Sequence, residues 1–211
     1  MKTRECLKKH EISANLRSKM VDWMIEVLCS YKCKNQSFFL AVQYMDRYFK
    51  MTERHLEPTD LHQIGVAAMF MACKYEEIYP FKLKLVHEKI AHEKISKEKI
   101  RSQERDIMRT LDHDMSCTTS YEFMMNSLYL LELNKLLDEK YFKYLVKVCI
   151  YLSKMNQYDY ELQQSQNCSV LAASTIYVAF KIIEQLKEDF PLEEKVRFFM
   201  TISHVKKIKE L

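Results

Sequence analysis

The chain has 211 residues and a net charge of +4, and it contains one glycine and three prolines. Tight β-turns and glycine-rich phosphate loops consume these residues, so the composition favours an all-α protein and excludes dinucleotide-binding folds, P-loop enzymes and protein kinases. The charge excess lies in residues 1–50, with ten Lys or Arg against five Asp or Glu, which indicates a solvated basic region rather than a nucleic-acid-binding face.

The first predicted helix carries two rows of apolar side chains at helical spacing. One row consists of Leu16, Met20, Trp23 and Val27, and the other consists of Val21, Ile25 and Leu28. A helix that is apolar on two sides is buried twice, so one row serves the core and the other meets a neighbouring helix or a ligand.

Two further helices follow before residue 80. The second is expected to begin near Asn35 or Ser37, which are both good N-caps. The third is expected to run from its cap at Thr59 to about Glu77, with a stripe of small residues. Gly65 costs about 1 kcal/mol relative to alanine inside a helix, which predicts a tight helix crossing there.

Pro80 ends the third helix, and residues 81–92 suggest a short fourth one. The repeated HEKI motif advances about 140° per five-residue step, so a break must precede the fifth helix. Ser96 is the expected N-cap of that helix, which ends near Leu111. His87 and His92 are five residues apart where the H-E-x-x-H metal motif needs four, so we expect no metal site.

The polar stretch from Asp112 to Ser120 is expected to be a linker. Further helices are predicted at about 120–133, 135–155, 169–187 and 192–209, with a possible short one within 156–167. The segment ASTIYVAFK, Ala173 to Lys181, aligns with VAAMFMACK, Val66 to Lys74, at an offset of 107. This similarity predicts two bundles of about 100 residues with one architecture.

Two features bear on the compartment. The longest uncharged apolar run, Ile64 to Cys73, is shorter than the roughly 18 residues that span a membrane, and no cleavable apolar leader follows the charged start. The seven cysteines form an odd set without a Cys-x-x-Cys pair, which argues against a disulfide framework and a zinc ribbon. We expect an intracellular protein with no membrane partner and with reduced, mostly buried thiols.

No residue pattern predicts catalysis. Glu76 and Glu77 are about 100° apart on a helix and do not face each other as a catalytic pair would. The run Asp112-His113-Asp114 is better explained by a turn after a helix than by a metal site. No Ser-His-Asp or Cys-His pattern stands out, so we expect a protein without enzymatic activity or cofactor.

Three motifs together resemble the cyclin box of A- or B-type mitotic cyclins. They are LRSKMVDWMIEV at Leu16 to Val27, VQYMDRYF at Val42 to Phe49, and VAAMFMACKYEEIYP at Val66 to Pro80. SVLAASTIYVAFK in the second half is similar to the C-terminal box more loosely. The resemblance implies an all-α protein with two consecutive cyclin-fold bundles of about five helices each. It divides the chain into a short segment 1–14, an N-terminal box 15–116 and a C-terminal bundle 117–211.

The resemblance also implies a function. A cyclin is a regulatory subunit that binds and activates a cyclin-dependent Ser/Thr protein kinase in cell-cycle control, and we expect this one in the nucleus and cytoplasm. The active-site Lys–Glu pair of such a kinase forms only when a mobile helix moves inward. A partner that binds only the inward state needs about 5.5 kcal/mol of differential affinity to move the equilibrium from 1:99 to 99:1.

By position, Lys74 and Glu104 match the charged kinase-contacting residues of the family. The apolar positions that receive the kinase helix are matched by Met71, Tyr75, Met108 and Met115. His113 stands where the family commonly has an aromatic residue, which could mark a divergent kinase partner. Arg17 and Asp46 match an internal ion pair whose role is structural.

A second family site is a groove that docks Arg-x-Leu motifs of substrates and inhibitors. Its positions are matched by Leu16, Met20, Trp23, Glu26 and Leu61. Glu26 is one turn from Asp22 and can attract a basic ligand. Lys19 replaces an apolar residue of the family and His62 often replaces Gln, which leaves open whether the groove works and what it prefers.

Two other interpretations remain. The same fold serves DNA-binding proteins similar to transcription factor B, but that function calls for a zinc ribbon and a basic face across both repeats. The chain could also be a kinase-independent scaffold, for which His113 is the best argument. Finally, Arg4 to Leu7 satisfies the minimal R-x-x-L destruction signal, a pattern short enough to arise by chance.

Overall fold

A computed structural model describes residues 6–130, 135 and 137–186 of the chain. These residues form helices and connecting loops without a β-strand, which confirms the all-α prediction. None of the described helices combines the length and hydropathy that a membrane-spanning segment requires. The predicted helix 192–209, residues 131–134 and the first residues of the R-x-x-L motif lie outside the described residues.

The helices follow one another through short connections. They are a 3₁₀ turn Cys6–Lys9, α1 Ala14–Ser30, α2 Asn35–Met51, α3 Asp60–Glu76, α4 Leu83–Leu85, α5 Lys97–Thr110, α6 Ser120–Leu130, α7 Glu139–Asn156, α8 Tyr160–Ser165 and α9 Cys168–Leu186. The described chain divides into two compact units. The first extends to Thr119 and also includes Gln157–Gln164, and the second contains α6, α7 and α9.

The predicted helix starts are partly right. Ser96 caps α5, because its hydroxyl accepts a hydrogen bond from Lys99 N at 3.3 Å. The prediction that Asn35 or Ser37 caps α2 is wrong, since Lys34 holds the N-cap position and makes no side-chain capping bond. A distant carboxylate serves instead: Oε1 of Glu77 accepts hydrogen bonds from Lys34 N at 2.7 Å and from Ser37 Oγ at 2.5 Å.

Other predicted boundaries also shift. Thr59 lies at the N-cap position of α3 but forms no capping hydrogen bond through its side chain. The short fourth helix is a single α-turn, α4, continued by a π-helical turn at Val86–Ile90. The expected break before α5 falls at His92 and Glu93, which both adopt left-handed backbone conformations. In the second unit, α7 begins at Glu139 rather than at residue 135.

The core of the first unit is built around α2 and α3. Most residues of both helices are buried, and α1 and α5 pack against α3. Gly65 lies at the crossing of α3 with α1, where a Cβ atom would overlap the Met20 side chain. The glycine therefore marks a tight crossing, as the sequence predicts.

A buried ion pair joins α1 to α2. The Arg17 side chain is fully buried, and its Nε and Nη2 donate to the two Asp46 carboxylate oxygens at 2.7 and 2.6 Å. Its Nη1 donates to the Gln157 carbonyl at 2.7 Å, and its guanidinium carbon lies 5.1 Å from the centre of the Tyr160 ring. The guanidinium thus fixes two helices and a segment that is distant in sequence.

The second unit has its own apolar core. Residues of α6, α7 and α9 form it, with Met124, Leu145, Cys149, Ile176 and Phe180 fully buried. Burial raises the pKa of Cys149 to about 12, so this thiol stays protonated at neutral pH. Because residues after 186 are not described, a second bundle of about five helices stays a prediction.

The described cysteines are free thiols, but the expectation that they are mostly buried is wrong. Cys73 and Cys149 are buried, Cys29 is exposed, and Cys33, Cys117 and Cys168 are half-buried. Cys29 is near the C-terminal end of α1 and Cys33 is in the loop after it, where the chain has less covering it than in the α2–α3 core.

The residues before α1 are held by His10. Its Nε2 lies 2.8 Å from the Phe49 carbonyl and its Nδ1 accepts a hydrogen bond from Leu56 N at 3.4 Å, so the ring is neutral with its proton on Nε2. Burial lowers the pKa of His10, and the nearby Lys9 and His55 lower it further, against an opposing effect of the Phe49 hydrogen bond.

Removal of one partner of the buried ion pair is expected to destabilise the chain. Arg17→Ala leaves the Asp46 carboxylate buried without its guanidinium, so the free energy of unfolding should fall by about 3 to 5 kcal/mol in urea titrations followed by circular dichroism. The Arg17→Ala/Asp46→Ala double variant should recover part of this loss, because no unpaired charge remains. Strictly additive losses would contradict the argument.

Acidification is expected to destabilise the fold through His10. Because its pKa is lowered in the folded state, the stability that neutral His10 contributes is present above the unfolded pKa of about 6.5 and is lost as the pH falls. Urea midpoints measured from pH 7.5 to 5.5 should fall, and His10→Gln should flatten this dependence. His55, whose pKa the Glu11 carboxylate raises, acts oppositely, so a steeper fall is expected for His55→Gln. An unchanged slope in His10→Gln would contradict the assignment.

Candidate functional site

Six of the seven residues predicted to contact a kinase line one cavity in the first unit. Three come from the last turns of α3, two come from α5, and one follows α5. They are Met71, Lys74, Tyr75, Glu104, Met108 and Met115, and the cavity has a volume of about 250 Å³. Their i, i+3 and i+4 spacings place each set on one helix face, so the helix pattern and the α3–α5 packing bring the site together.

Lys74 and Glu104 form an ion pair across the cavity. Lys74 Nζ lies 2.7 Å from Glu104 Oε1 and 3.9 Å from the centre of the Phe70 ring. The Glu104 side chain is only 14% exposed whereas that of Lys74 is 43% exposed. The carboxylate is therefore held near the floor, and the ammonium group covers it from the solvent side.

The seventh predicted residue, His113, does not line the cavity. It lies exposed in the turn after α5 with a left-handed backbone. Its N–H donates to the Met108 carbonyl at 2.8 Å, and its carbonyl accepts from Met115 N at 3.0 Å. The backbone of His113 thus shapes the turn that returns Met115 to the cavity.

Polar contacts from α2 hold α5 and the following turn in place. Tyr48 donates its hydroxyl proton to Asp106 at 2.5 Å, and Tyr44 donates to the Met115 carbonyl at 2.9 Å. Burial raises the pKa of Tyr44, so its hydroxyl remains a donor. Gln63 of α3 donates to Gln103 of α5 at 3.1 Å. These contacts fix the distance between the two walls of the cavity.

Sequence reasoning did not identify these supporting residues. Tyr44 was placed only as an apolar position of α2, and Tyr48 and Asp106 were not singled out. The partners of each contact are 58 to 71 residues apart, so no local spacing could reveal them. A tyrosine on an otherwise buried helix face was the available signal, since a buried hydroxyl needs a partner.

Exposed apolar side chains adjoin the cavity at the end of α3. Tyr75 is 57% exposed, and Ile78 and Tyr79 in the following loop are 80% and 91% exposed. Ile78 and Tyr79 lie within the third sequence motif but were not predicted as site residues. Their exposure close together is unusual for apolar groups and marks an interaction surface.

The five residues matched to the docking groove lie on α1 and at the start of α3, and we call them the docking surface: Leu16, Met20, Trp23, Glu26 and Leu61. Met20 and Leu61 are 8% and 5% exposed, so their side chains are mostly covered by the chain itself. Leu16 and Trp23 are half-buried and Glu26 is exposed. The apolar area offered to a ligand comes mainly from Leu16 and Trp23.

The two departures from the family pattern adjoin this surface. The His62 ring packs edge-on against the Trp23 ring with centroids 5.0 Å apart, and burial lowers the pKa of His62. Lys19 is exposed one turn before Trp23. Asp22 accepts a hydrogen bond from the Tyr158 hydroxyl at 2.6 Å, so of the two carboxylates predicted to attract a basic ligand, Asp22 already has a partner within the chain.

Among the described residues, no group of three or more His, Cys, Asp or Glu side chains is arranged to hold a metal ion. His87 binds the Ile95 carbonyl at 2.9 Å and so closes the loop before α5. Asp114 pairs with Arg47 at 3.0 Å. The acidic and histidine motifs of the sequence therefore have structural partners.

The helical bundle with an α3–α5 cavity is the architecture of a cyclin box. The family model described as "Cyclin, N-terminal domain" matches residues 1–116, more than half of the chain. The chain belongs to the cyclin family and resembles its A- and B-type members.

Relatives and solved structures agree with this membership. The chain is 30% identical over 180 residues to G2/mitotic-specific cyclin-A of Hydra viridissima, which covers 85% of this chain and 40% of the relative. It is 31% identical over 172 residues to G2/mitotic-specific cyclin-B of Dictyostelium discoideum, covering 81% and 36%. The chain thus spans about two fifths of the length of these relatives. A viral cyclin from herpesvirus saimiri has the same fold, with a TM-score of 0.78, 16% identity, and coverage of 100% of this chain and 90% of that one.

Proposed function

We propose that this chain is a non-catalytic regulatory subunit that binds and activates a cyclin-dependent Ser/Thr protein kinase. The observation that carries the proposal is the convergence of six kinase-contacting positions around one cavity in a cyclin box. The cavity volume of about 250 Å³ is below the roughly 300–1,000 Å³ of small-molecule sites. It suits the anchor side chains of a partner helix better than a cofactor.

The chemistry of the cavity fits such a helix. Three methionines and Tyr75 provide an apolar and adaptable lining. Lys74 and Glu104 add charges of both signs beside it, which can fix the register of a partner helix with complementary polar groups. Ile78 and Tyr79 extend the apolar surface beyond the cavity.

Activation follows from binding one conformation of the kinase. The walls of the cavity are held by buried tyrosine hydroxyls on α2, so the surface keeps its shape when the partner changes. A kinase helix that fits only in its inward position is thereby favoured over the outward one. A differential affinity of about 5.5 kcal/mol shifts the population from 1:99 to 99:1.

We place the activity in cell-cycle control, in the nucleus and cytoplasm. The mitotic cyclins among the relatives support this role. A kinase-independent scaffold and a DNA-binding factor of similar fold remain the alternatives that the experiments below separate.

We also propose that the docking surface recruits substrates or inhibitors that carry Arg-x-Leu motifs. Leu16 and Trp23 offer partly exposed apolar side chains, and Glu26 supplies an exposed carboxylate on the same helix. Lys19 opposes a basic ligand, and the His62 ring covers one edge of Trp23. Affinity for Arg-x-Leu is therefore reduced by the chain's own side chains.

Loss of the charged pair is expected to abolish kinase binding. The Lys74→Ala/Glu104→Ala variant should bind members of a panel of purified cyclin-dependent kinases at least about 30-fold more weakly, because hot-spot residues each contribute about 2 kcal/mol or more. Binding and phosphorylation of histone H1 by the bound kinase are the measurements, and helicity should stay unchanged.

A matched control is available on α7. Lys143 and Glu139 form an exposed ion pair with an N–O distance of 2.5 Å, and their replacement by alanine should leave kinase binding intact. Equal binding by both double variants would sink the site assignment. Kinase binding without activation would favour a scaffold, and retardation of duplex DNA that survives 200 mM salt would favour a DNA-binding factor.

Removal of the opposing charge should strengthen docking of a basic motif. Lys19→Leu is expected to raise the affinity for a synthetic Arg-x-Leu peptide about five-fold, since one nearby like charge costs about 1 kcal/mol in water. Trp23→Ala should abolish binding in fluorescence anisotropy. Lys84→Leu, at an exposed position on α4, is the control for added apolar surface. If Lys19→Leu and Lys84→Leu behave alike, Lys19 has no part in selection.

A further inference from the structure

An exposed row of arginines runs along α5. Arg101, Arg105 and Arg109 recur every four residues, and all three are exposed. With a rise of 1.5 Å per residue, the row is about 12 Å long. We call these three residues the arginine row.

The arginine row lacks close acidic partners within the described part of the chain. None of its guanidinium groups forms an ion pair within 4.0 Å there. The acidic residues of α5 are engaged elsewhere. Glu98 bonds to Ser96, Glu104 pairs with Lys74, and Asp106 accepts from Tyr48.

This arrangement is unfavourable for the isolated helix. Like charges four residues apart destabilise a helix by about 0.2 to 0.5 kcal/mol per pair, whereas glutamate at alternate positions would stabilise it. A local arrangement that opposes stability is expected where a surface serves a function.

The arginine row begins at the rim of the cavity. At about 100° per residue, Arg101 lies about 60° from Glu104 around the helix, Arg105 about 100° and Arg109 about 140°. The buried residues of α5, Ile100, Gln103 and Ile107, lie on the opposite side. A partner helix seated on Glu104 and Met108 would thus have one flank over the arginine row.

We infer that the arginine row binds an acidic segment of the kinase that occupies the cavity, with carboxylates about 6 Å apart. This inference rests on the proposed function and adds the charge of the partner to it. Guanidinium groups pair with carboxylates through two parallel hydrogen bonds. A partner helix with glutamates at i, i+4 and i+8 has the same 6 Å repeat as the arginine row.

A nucleic acid is a poorer fit to this surface. Duplex DNA carries a charge every 1.7 Å or so, and its proteins commonly neutralise about six to ten phosphates. The arginine row supplies three charges, and residues 51–211 as a whole hold 23 basic and 24 acidic residues. Acidic side chains on the same helix would repel a polyanion.

The first experiment measures kinase association. Arg101→Gln/Arg105→Gln/Arg109→Gln keeps helix propensity and removes three charges at exposed positions. Its association rate constant with kinases bound by the wild-type chain should fall about ten-fold at 50 mM salt and differ little at 500 mM, because steering by charge is screened. Lys140→Gln/Lys143→Gln/Lys147→Gln on α7 removes the same charge and should leave the rate unchanged.

The second experiment does not need a kinase. A synthetic 16-residue helical peptide with glutamates at i, i+4 and i+8 should shift the Arg Nε–Hε signals of the arginine row in NMR spectra at 20 mM salt. The matched glutamine peptide should not shift them, and the triple-arginine variant should lose the binding.

The outcomes separate the two proposals. If no kinase binds the wild-type chain, the proposed function fails, and the inferred kinase partner fails with it even where the peptide binds. If kinase binding depends on Lys74 and Glu104 but the arginine and lysine triple variants behave alike, only the inference about the arginine row is overturned. Binding of duplex DNA through the arginine row, without binding of the acidic peptide, also overturns it.

Discussion

The contact between Arg17 and Asp46 is the constraint on which the first unit depends. A fully buried guanidinium has to satisfy all its donors within the protein, and here the Asp46 carboxylate, the Gln157 carbonyl and the Tyr160 ring surround it. This requirement aligns α1 with α2. Because α2 in turn anchors α5 through Tyr48, the position of the cavity wall follows indirectly from where the buried charge is held.

The cavity combines a rigid frame with an adaptable surface. Hydrogen bonds from Tyr44 and Gln63 fix the turn after α5 and the separation of α3 from α5. The lining itself consists of methionine and tyrosine side chains that adjust to a partner. Such a division suits a protein that acts on another by shape, since the frame resists deformation while the contact surface accommodates detail.

Much of the fold and the site could be predicted from the sequence, because local spacing determines which side chains share a helix face. The grouping of Met71, Lys74 and Tyr75 and the Ser96 cap are results of this kind. Spacing fails where a remote residue supplies the partner. Glu77 replaces the expected cap at Asn35, and Ile78 and Tyr79 remain exposed, which only the packing of α3 against its neighbours decides.

The return of residues 157–164 to the first unit has a consequence for fragments of the protein. A recombinant piece ending at residue 116, where the family model stops, would lack both the Gln157 carbonyl and the aromatic ring stacked on the guanidinium. One donor of a deeply enclosed cation would then face an empty space or a water molecule. The smallest autonomous version of the cyclin box is accordingly discontinuous along the polypeptide, and dissection by simple truncation would underestimate its intrinsic stability.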